Sequence, residues 1–239
     1  MPILEGQGVT KYFGGLAAVS NVDFYVDQGE ILGLIGPNGA GKTTLFGLIS
    51  AAYVPKPGSI KFKGENITGL KPHQICRKGL ARTFQSVKIF PNMSVINNVV
   101  LGVHFGNPER ITSAQTAEEV AQLLEFVGLS AMADVPAKDL TLVNQKLLEV
   151  ARALATRPEV LLLDEIMAGL NPTEVALAME LVSRIRTQGI TVLMIEHVMK
   201  AIMSVCDRIM VLHHGKKIAE GTPQEIATSK TVIEVYLGE

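Results

Sequence analysis

The chain reads as an α/β protein built around a parallel sheet, and three observations carry that reading. Glu30-Ile-Leu-Gly-Leu-Ile35 is a short apolar run, followed by a glycine-rich turn, Gly36 to Thr44, and then by Thr44-Leu-Phe-Gly-Leu-Ile-Ser50, which opens like a helix. A second run, Val160-Leu-Leu-Leu163, ends on two acids, Asp164-Glu165. Between Gln85 and Val160 the apolar spacing is helical and no strand is expected. Strands covered on both faces are near-continuously apolar, so both runs suit the middle of a sheet. The helical interval reads as a smaller lobe inserted into one domain.

The elements follow in order. Ile3–Phe13 and Val22–Val26 alternate enough to suggest antiparallel strands, and Met1-Pro-Ile-Leu-Glu5 is expected to run into a polar turn without a secretory signal. Pro55-Lys-Pro-Gly58 marks a turn into the strand Ser59–Lys63. Pro72–Lys78 is a short helix with Gly79 as its C-cap. Ser94–Gly102 and Ser113–Val127 carry helical spacing, with Ser94 and Ser113 as N-caps, and Lys146–Leu154 is the last helix of the interval. Val160–Leu163, Thr191–Ile195 and Arg208–Leu212 are strands, Lys216–Glu220 closes a hairpin, and Pro223 starts a short helical tail. The chain is thus one domain over residues 1–239, with 1–85 and 158–239 as the core and about 86–157 as the helical subdomain.

Gly36-Pro-Asn-Gly-Ala-Gly-Lys-Thr-Thr44 satisfies the pattern G-x-x-x-x-G-K-[ST]. Strand, turn and helix together aim backbone N–H groups and a helix N-terminus at one point, where a polyphosphate would sit. Gly36, Asn38, Gly39, Ala40, Gly41 and Thr44 form that cradle, Lys42 brings positive charge, and Thr43 offers a hydroxyl to Mg²⁺. Asp164 and Glu165 would emerge at the C-terminal end of their strand, where open α/β sheets bind ligands. Asp164 suits the Mg²⁺ shell, and Glu165 suits polarisation of an attacking water. These residues point to a nucleoside triphosphate.

Composition narrows the setting. With 239 residues and 47% hydrophobic content the chain can bury a full core, and a net charge of −1 gives no sign of nucleic-acid affinity. Cys76 and Cys206 lack metal-ligand spacing, His213-His214 reads as an exposed turn pair, and no run reaches the ~18 apolar residues of a membrane span. A cytoplasmic location is expected. The guanine-reading Asn/Thr-Lys-x-Asp is missing from any suitable place, which argues against a GTPase.

Lys42-Thr43, Asp164-Glu165 and Ile195-Glu-His-Val198 together resemble the nucleotide-binding subunit of ATP-binding cassette (ABC) transporters, over essentially the whole chain. The resemblance implies a P-loop NTPase with a RecA-like core, an antiparallel β subdomain and an inserted helical subdomain. It implies that Tyr12 stacks on adenine, that Gln85 touches Mg²⁺ and the attacking water, and that His197 contacts the γ-phosphate. Taken alone, Tyr12 is an ordinary strand aromatic and His197 a weak signal. The resemblance also implies MgATP hydrolysis, transmembrane permease subunits as partners and a place on the cytoplasmic face of the membrane.

Three elements depart from the family pattern, one of them Asn171 in Ala168-Gly-Leu-Asn171, where an aspartate is more usual. Leu140-Thr-Leu-Val-Asn144 stands where Leu-Ser-Gly-Gly-Gln is usual, and Asp164-Glu165 is followed by Ile166 where proline is usual. Glycine permits φ > 0 and close approach to a phosphate, and β-branched Val143 is expected to resist both. In the family two cassettes share two ATP molecules, each held by one subunit's phosphate loop and the other's signature. A degraded signature beside an intact phosphate loop therefore favours a heterodimer with a second cassette over pairing with a second copy. Ala168-Gly-Leu-Asn171 matches the loop that crosses to that partner. Ala81-Arg-Thr-Phe-Gln-Ser-Val-Lys-Ile-Phe90 and the ending Val232–Glu239 resemble cassettes of branched-chain amino-acid uptake, which work with a solute-binding protein. Urea and amide carriers use similar cassettes, and a weakly hydrolysing regulatory module is a further alternative.

Overall fold

The computed structural model describes residues 2–106 and 112–237. Met1, Gly238 and Glu239, which belong to the terminal segments discussed above, lie outside the described residues. The polar turn expected at the start is instead the first residues of a long strand, β1 (Pro2–Phe13), which pairs antiparallel with β2 (Leu16–Asp27). With β4 (Ser59–Phe62) and the two-residue β5 (Glu65–Asn66) they form a sheet in the order β2-β1-β4-β5.

The second sheet carries the site. Its order is β10-β9-β3-β8-β7-β6, from β3 (Ile31–Ile35), β6 (Leu80–Arg82), β7 (Val160–Asp164), β8 (Thr191–Ile195), β9 (Arg208–His213) and β10 (Lys216–Gly221). All pairings are parallel except β9 with β10. Every residue of β3, β7 and β8 is buried, as expected for strands covered on both faces. Alternation along them divides the core. Leu32, Leu34, Leu162 and Leu193 face α1 (Lys42–Ile49), whereas Ile31, Leu161, Leu163 and Val192 join the cluster under the other helices. Truncating one such leucine to alanine costs ~2–5 kcal/mol.

Between β6 and β7 the described residues hold helices and turns, with no strand. These are α3 (Val95–Gly106), α4 (Ser113–Val127), two 3₁₀ turns and α5 (Leu142–Leu154). α2 (Pro72–Arg77) precedes β6, with Gly79 at φ 103 just beyond its last turn. Thr112, not Ser113, caps α4: its Oγ1 accepts from Gln115 N–H while Gln115 Oε1 accepts from Thr112 N–H. Gln at the third helical position completes the reciprocal pair that Ser113 would miss. Sequence periodicity passed over β5, β6, α6 (Pro172–Thr187) and α7 (Met199–Val205), the first two because they are too short to show a repeat. α8 (Pro223–Thr228) and α9 (Lys230–Leu237) make up the tail.

Candidate functional site

The turn from β3 into α1 needs glycine at two points for physical reasons. Gly36 has φ 149 and a Cβ there would lie 2.1 Å from Leu212 O; Gly41 has φ 103 and a Cβ there would lie 2.3 Å from Ala18 O. Only a residue without a side chain fits either place. The turn opens on a cavity of about 440 Å³ lined by Asn38, Gly39, Ala40, Gly41, Lys42, Thr43 and Thr44 from the loop, and by Gln85 and Glu165 from across the sheet. Of the cradle predicted from the motif, residues 38–44 line one surface, and Gly36 lies outside it at the turn's start. Lys42 Nζ donates to Gly36 O at 2.6 Å and Pro37 O at 3.0 Å. Burial lowers its pKa, opposed by the charges of Glu165 and Asp164.

Three residues far apart in sequence converge beside this loop. Glu165 lies just past the end of β7, where Gln85 Nε2 donates to its Oε2 at 2.9 Å and His197 Nε2 lies 2.8 Å from its Oε1. Glu165 adopts φ 53, a left-handed conformation that costs a non-glycine residue roughly 1–2 kcal/mol. Strain of this kind gathers at sites where the surroundings dictate geometry.

Asp164 is 1% exposed. Its Oδ2 accepts from Arg82 Nη2 at 2.8 Å, and its Oδ1 has no hydrogen-bond partner among the described residues. Burial raises its pKa, opposed chiefly by the hydrogen bond from Arg82. A buried carboxylate oxygen left unpaired costs ~1–3 kcal/mol or more, and a cation would relieve it. The donor set of Asp164, the Thr43 hydroxyl and the Gln85 amide oxygen is all oxygen, the chemistry Mg²⁺ prefers. The residues present fit that ion.

Other residues separate. Tyr12 is half-exposed near the end of β1 and is not among the residues lining the cavity; its neighbour Phe13 packs edge-on against Tyr53, ring centroids 5.3 Å apart. Leu16, Ala17, Ala18 and His214 also line the cavity, and no motif or spacing marks them in the sequence. His213 ends β9 half-buried and only His214 is exposed in the turn, their rings tilted with centroids 4.0 Å apart; no group of three or more His, Cys, Asp or Glu side chains that could hold a metal is present among the described residues. Burial raises the pKa of Tyr236 in α9, opposed by the nearby Gly36 backbone, so the tail reaches the phosphate loop.

The altered signature corrects one expectation. Leu142 and Val143 open α5, neither has positive φ, and Thr141 caps the helix by accepting from Asn144 N–H at 3.4 Å. Helical geometry suits leucine and valine, so the backbone conflict expected of Val143 does not arise; only the bulk of the two side chains remains. Leu142 is half-exposed and lies against Gly169. Asn171 caps α6, its Oδ1 accepting from Thr173 N–H and Glu174 N–H at 3.0 Å each, a task that asparagine and aspartate perform equally well.

α5 also grips the segment after Gln85. Glu149 Oε1 accepts from Lys88 N–H at 3.0 Å, Arg152 donates to Lys88 O, and its guanidinium lies 4.8 Å from the Phe90 ring centroid. Burial raises the Glu149 pKa and lowers that of Arg152.

Residues 19–168 match the family model described as ABC transporter, and residues 216–239 match that of the branched-chain amino acid ATP-binding cassette transporter. The chain is 42% identical to the high-affinity branched-chain amino acid transport ATP-binding protein BraF of Pseudomonas aeruginosa, covering 100% of this chain and 98% of that one. It is 40% identical to LivG of Escherichia coli, a protein of the same description, with the same coverage. Among solved structures, a nucleotide-free ATP-binding cassette from an ABC transporter superposes with TM-score 0.89 at 31% identity, and an ADP-bound ABC transporter cassette with TM-score 0.88 at 31%; both matches cover 100% of each chain. A phosphate loop facing an acid-tipped strand across one cavity, together with these full-length likenesses, places the chain in the ATP-binding cassette family of ABC transporters.

Proposed function

We propose that this chain is the MgATP-hydrolysing cassette of a transporter that takes up branched-chain amino acids. The observation that carries the chemistry is the Glu165 carboxylate held between Gln85 and His197 at the edge of the phosphate-loop cavity. A carboxylate so placed acts as general base toward a water aligned on the γ-phosphate. Gln85 and His197 fix its orientation, and His197 is within reach of charge developing on the transferred group. Lys42 turns from the Gly36 and Pro37 carbonyls to the β/γ-phosphates when ATP enters. Thr43, Asp164 and Gln85 would hold a Mg²⁺ ion, which would supply positive charge against the phosphates. Tyr12, paired with Ala17 beside the turn from β1 into β2, is the candidate for stacking on adenine.

The residues divide, in this reading, into a core of 1–85 and 158–239 and a helical subdomain of about 86–157. Partners are permease subunits and a second cassette, with a heterodimer favoured by the bulk of Leu142 and Val143. A solute-binding protein delivers the solute, and the cassette sits on the cytoplasmic face of the membrane. No described helix is long and apolar enough to cross a membrane, which is consistent with a peripheral subunit.

The likeness to BraF and LivG supports branched-chain amino acids as cargo. The test is ATP-driven accumulation in vesicles containing the reconstituted transporter, with labelled leucine or urea. Leucine accumulation that stops with Glu165→Gln supports the reading; uptake of urea without leucine reassigns the cargo.

A further inference from the structure

Lys146, on the second turn of α5, leaves its helix and enters the loop that follows β7. Its Nζ donates to Glu165 O at 3.2 Å and to Ala168 O at 2.5 Å. Glu196, beside His197, approaches the same loop from β8, and its Oε1 accepts from Met167 N–H at 2.8 Å. Three backbone groups within four residues are thus held by two side chains. One of those residues is Glu165, whose left-handed φ needs outside support.

This pair is costly for the fold. Lys146 is 8% exposed and Glu196 2%. Burial lowers the Lys146 pKa and raises that of Glu196 to about 7. Glu196 Oε2 has no hydrogen-bond partner among the described residues. Apolar residues of similar volume are often neutral or stabilising in place of buried charges. A costly pair held against a strained catalytic loop points to a role in function.

The position of Lys146 adds a second element. A cleft of about 380 Å³ runs between α5 and α6, walled by Val143, Leu147 and Val150 on one side and by Ala178 and Leu181 on the other. Lys146 lines this cleft and crosses from the α5 wall to the loop after β7. Its two hydrogen bonds therefore connect the helix that begins with Thr141–Asn144 to the backbone of Glu165.

We propose that Lys146 and Glu196 are positioning residues for ATP hydrolysis. They lock the backbone of Glu165–Ala168 so that the Glu165 carboxylate stays between Gln85 and His197, and they make that lock depend on the placement of α5. This rests on the reading of Glu165 as the general base. A shift of α5 away from the sheet withdraws the Lys146 ammonium, frees two carbonyls and lets Glu165 relax from its left-handed conformation.

The test uses the full chain in the assembled transporter, with Lys146→Met, Lys146→Arg and Glu196→Ala. Misplacing a catalytic group by about 1 Å costs up to ~10²-fold. Lys146→Met is expected to lower kcat at least about tenfold with the KM for ATP within about twofold of wild type, on the same scale. Lys146→Arg should recover most of kcat, because a guanidinium can still donate to two carbonyls. Amide hydrogen exchange in the free chain should quicken at 166–170 in Lys146→Met and Glu196→Ala while the phosphate-loop amides stay protected. Lys146→Gln, which is uncharged and one atom shorter, replaces Lys146→Met with the same expected losses if the latter fails to fold. Wild-type kcat in Lys146→Met, a loss confined to KM, or unchanged exchange at 166–170 overturns the proposal. Full turnover by Glu165→Gln defeats the general-base reading instead, and the exchange experiment still shows whether Lys146 holds the loop.

Discussion

His197 Nε2 lies 2.8 Å from Glu165 Oε1, a contact between two residues 32 positions apart that share a sheet end. β7 and β8 pair in parallel with Asp164 opposite Ile195, so the residues just beyond both strands emerge side by side. His197→Ala should therefore disturb the Glu165 carboxylate as well as any direct contact with phosphate. A loss of ~10²–10³-fold in kcat is expected, with nucleotide affinity little changed. Steady-state ATPase kinetics of the assembled transporter, paired with equilibrium ATP binding, check both parts. Unchanged kcat would detach His197 from the reaction.

The opening of α5 gives a second prediction. Leu142→Gly with Val143→Gly removes bulk from a helical first turn without relieving any backbone strain. The substitution should lower stability by up to ~1 kcal/mol per site, seen as a drop in Tm. If bulk alone limits a self-paired site, ATPase activity of the isolated chain should nonetheless rise about tenfold, a fraction of what a lost transition-state donor costs. No rise would mean that the side chains are accommodated, and the preference for a heterodimer would lose its support.

Glu196 predicts a pH dependence of stability. Its carboxyl is raised to about 7 in the folded chain by burial, opposed by the Met167 N–H, the charge of Lys146 and the His197 N–H, and reinforced by the charge of Glu165. An acid raised on folding stabilises fully below its unfolded pKa, near 4.5, and loses that contribution as pH rises through about 7. The change amounts to about 3 kcal/mol, from 1.36 kcal/mol per unit. Glu196→Gln is neutral throughout, so its Tm should gain on wild type between pH 5 and pH 7.5 (bounds set roughly around the two pKa values). Parallel Tm curves across that range would refute this.

Phe90 is exposed, with Arg152 beneath its ring. Its place directly after the segment of Gln85 makes it a candidate contact for the permease. Phe90→Asp removes an exposed ring and places a carboxylate beside Arg152, so folding should change by no more than about 1 kcal/mol. Co-purification with the permease should fall while ATP binding is retained. Undiminished co-purification sinks the assignment.

The sequence by itself determined the glycine-rich turn between β3 and α1, the strands β3, β7 and β8, and the position of Asp164-Glu165 at the end of β7. Each of these is local: glycine spacing, a lysine-threonine pair, or an apolar run that ends in acids fixes a turn or a strand without reference to distant residues. It also placed the helical interval, because 3.6-residue spacing is written in the chain itself. What surrounds the site was decided by tertiary structure. Arg82 meets Asp164 across 82 positions, Lys146 meets the Glu165 carbonyl across 19, and Glu196 meets Met167 across 29. A lone arginine, lysine or glutamate reads in sequence as a solvated surface charge. The role of each emerges only when parallel pairing of β6, β7 and β8 and the packing of α5 bury it against a particular backbone group. The signature segment shows the same division. Sequence names Leu142 and Val143 as departures from glycine, but whether they are strained depends on φ. The helix that Thr141 starts sets φ in the range valine accepts.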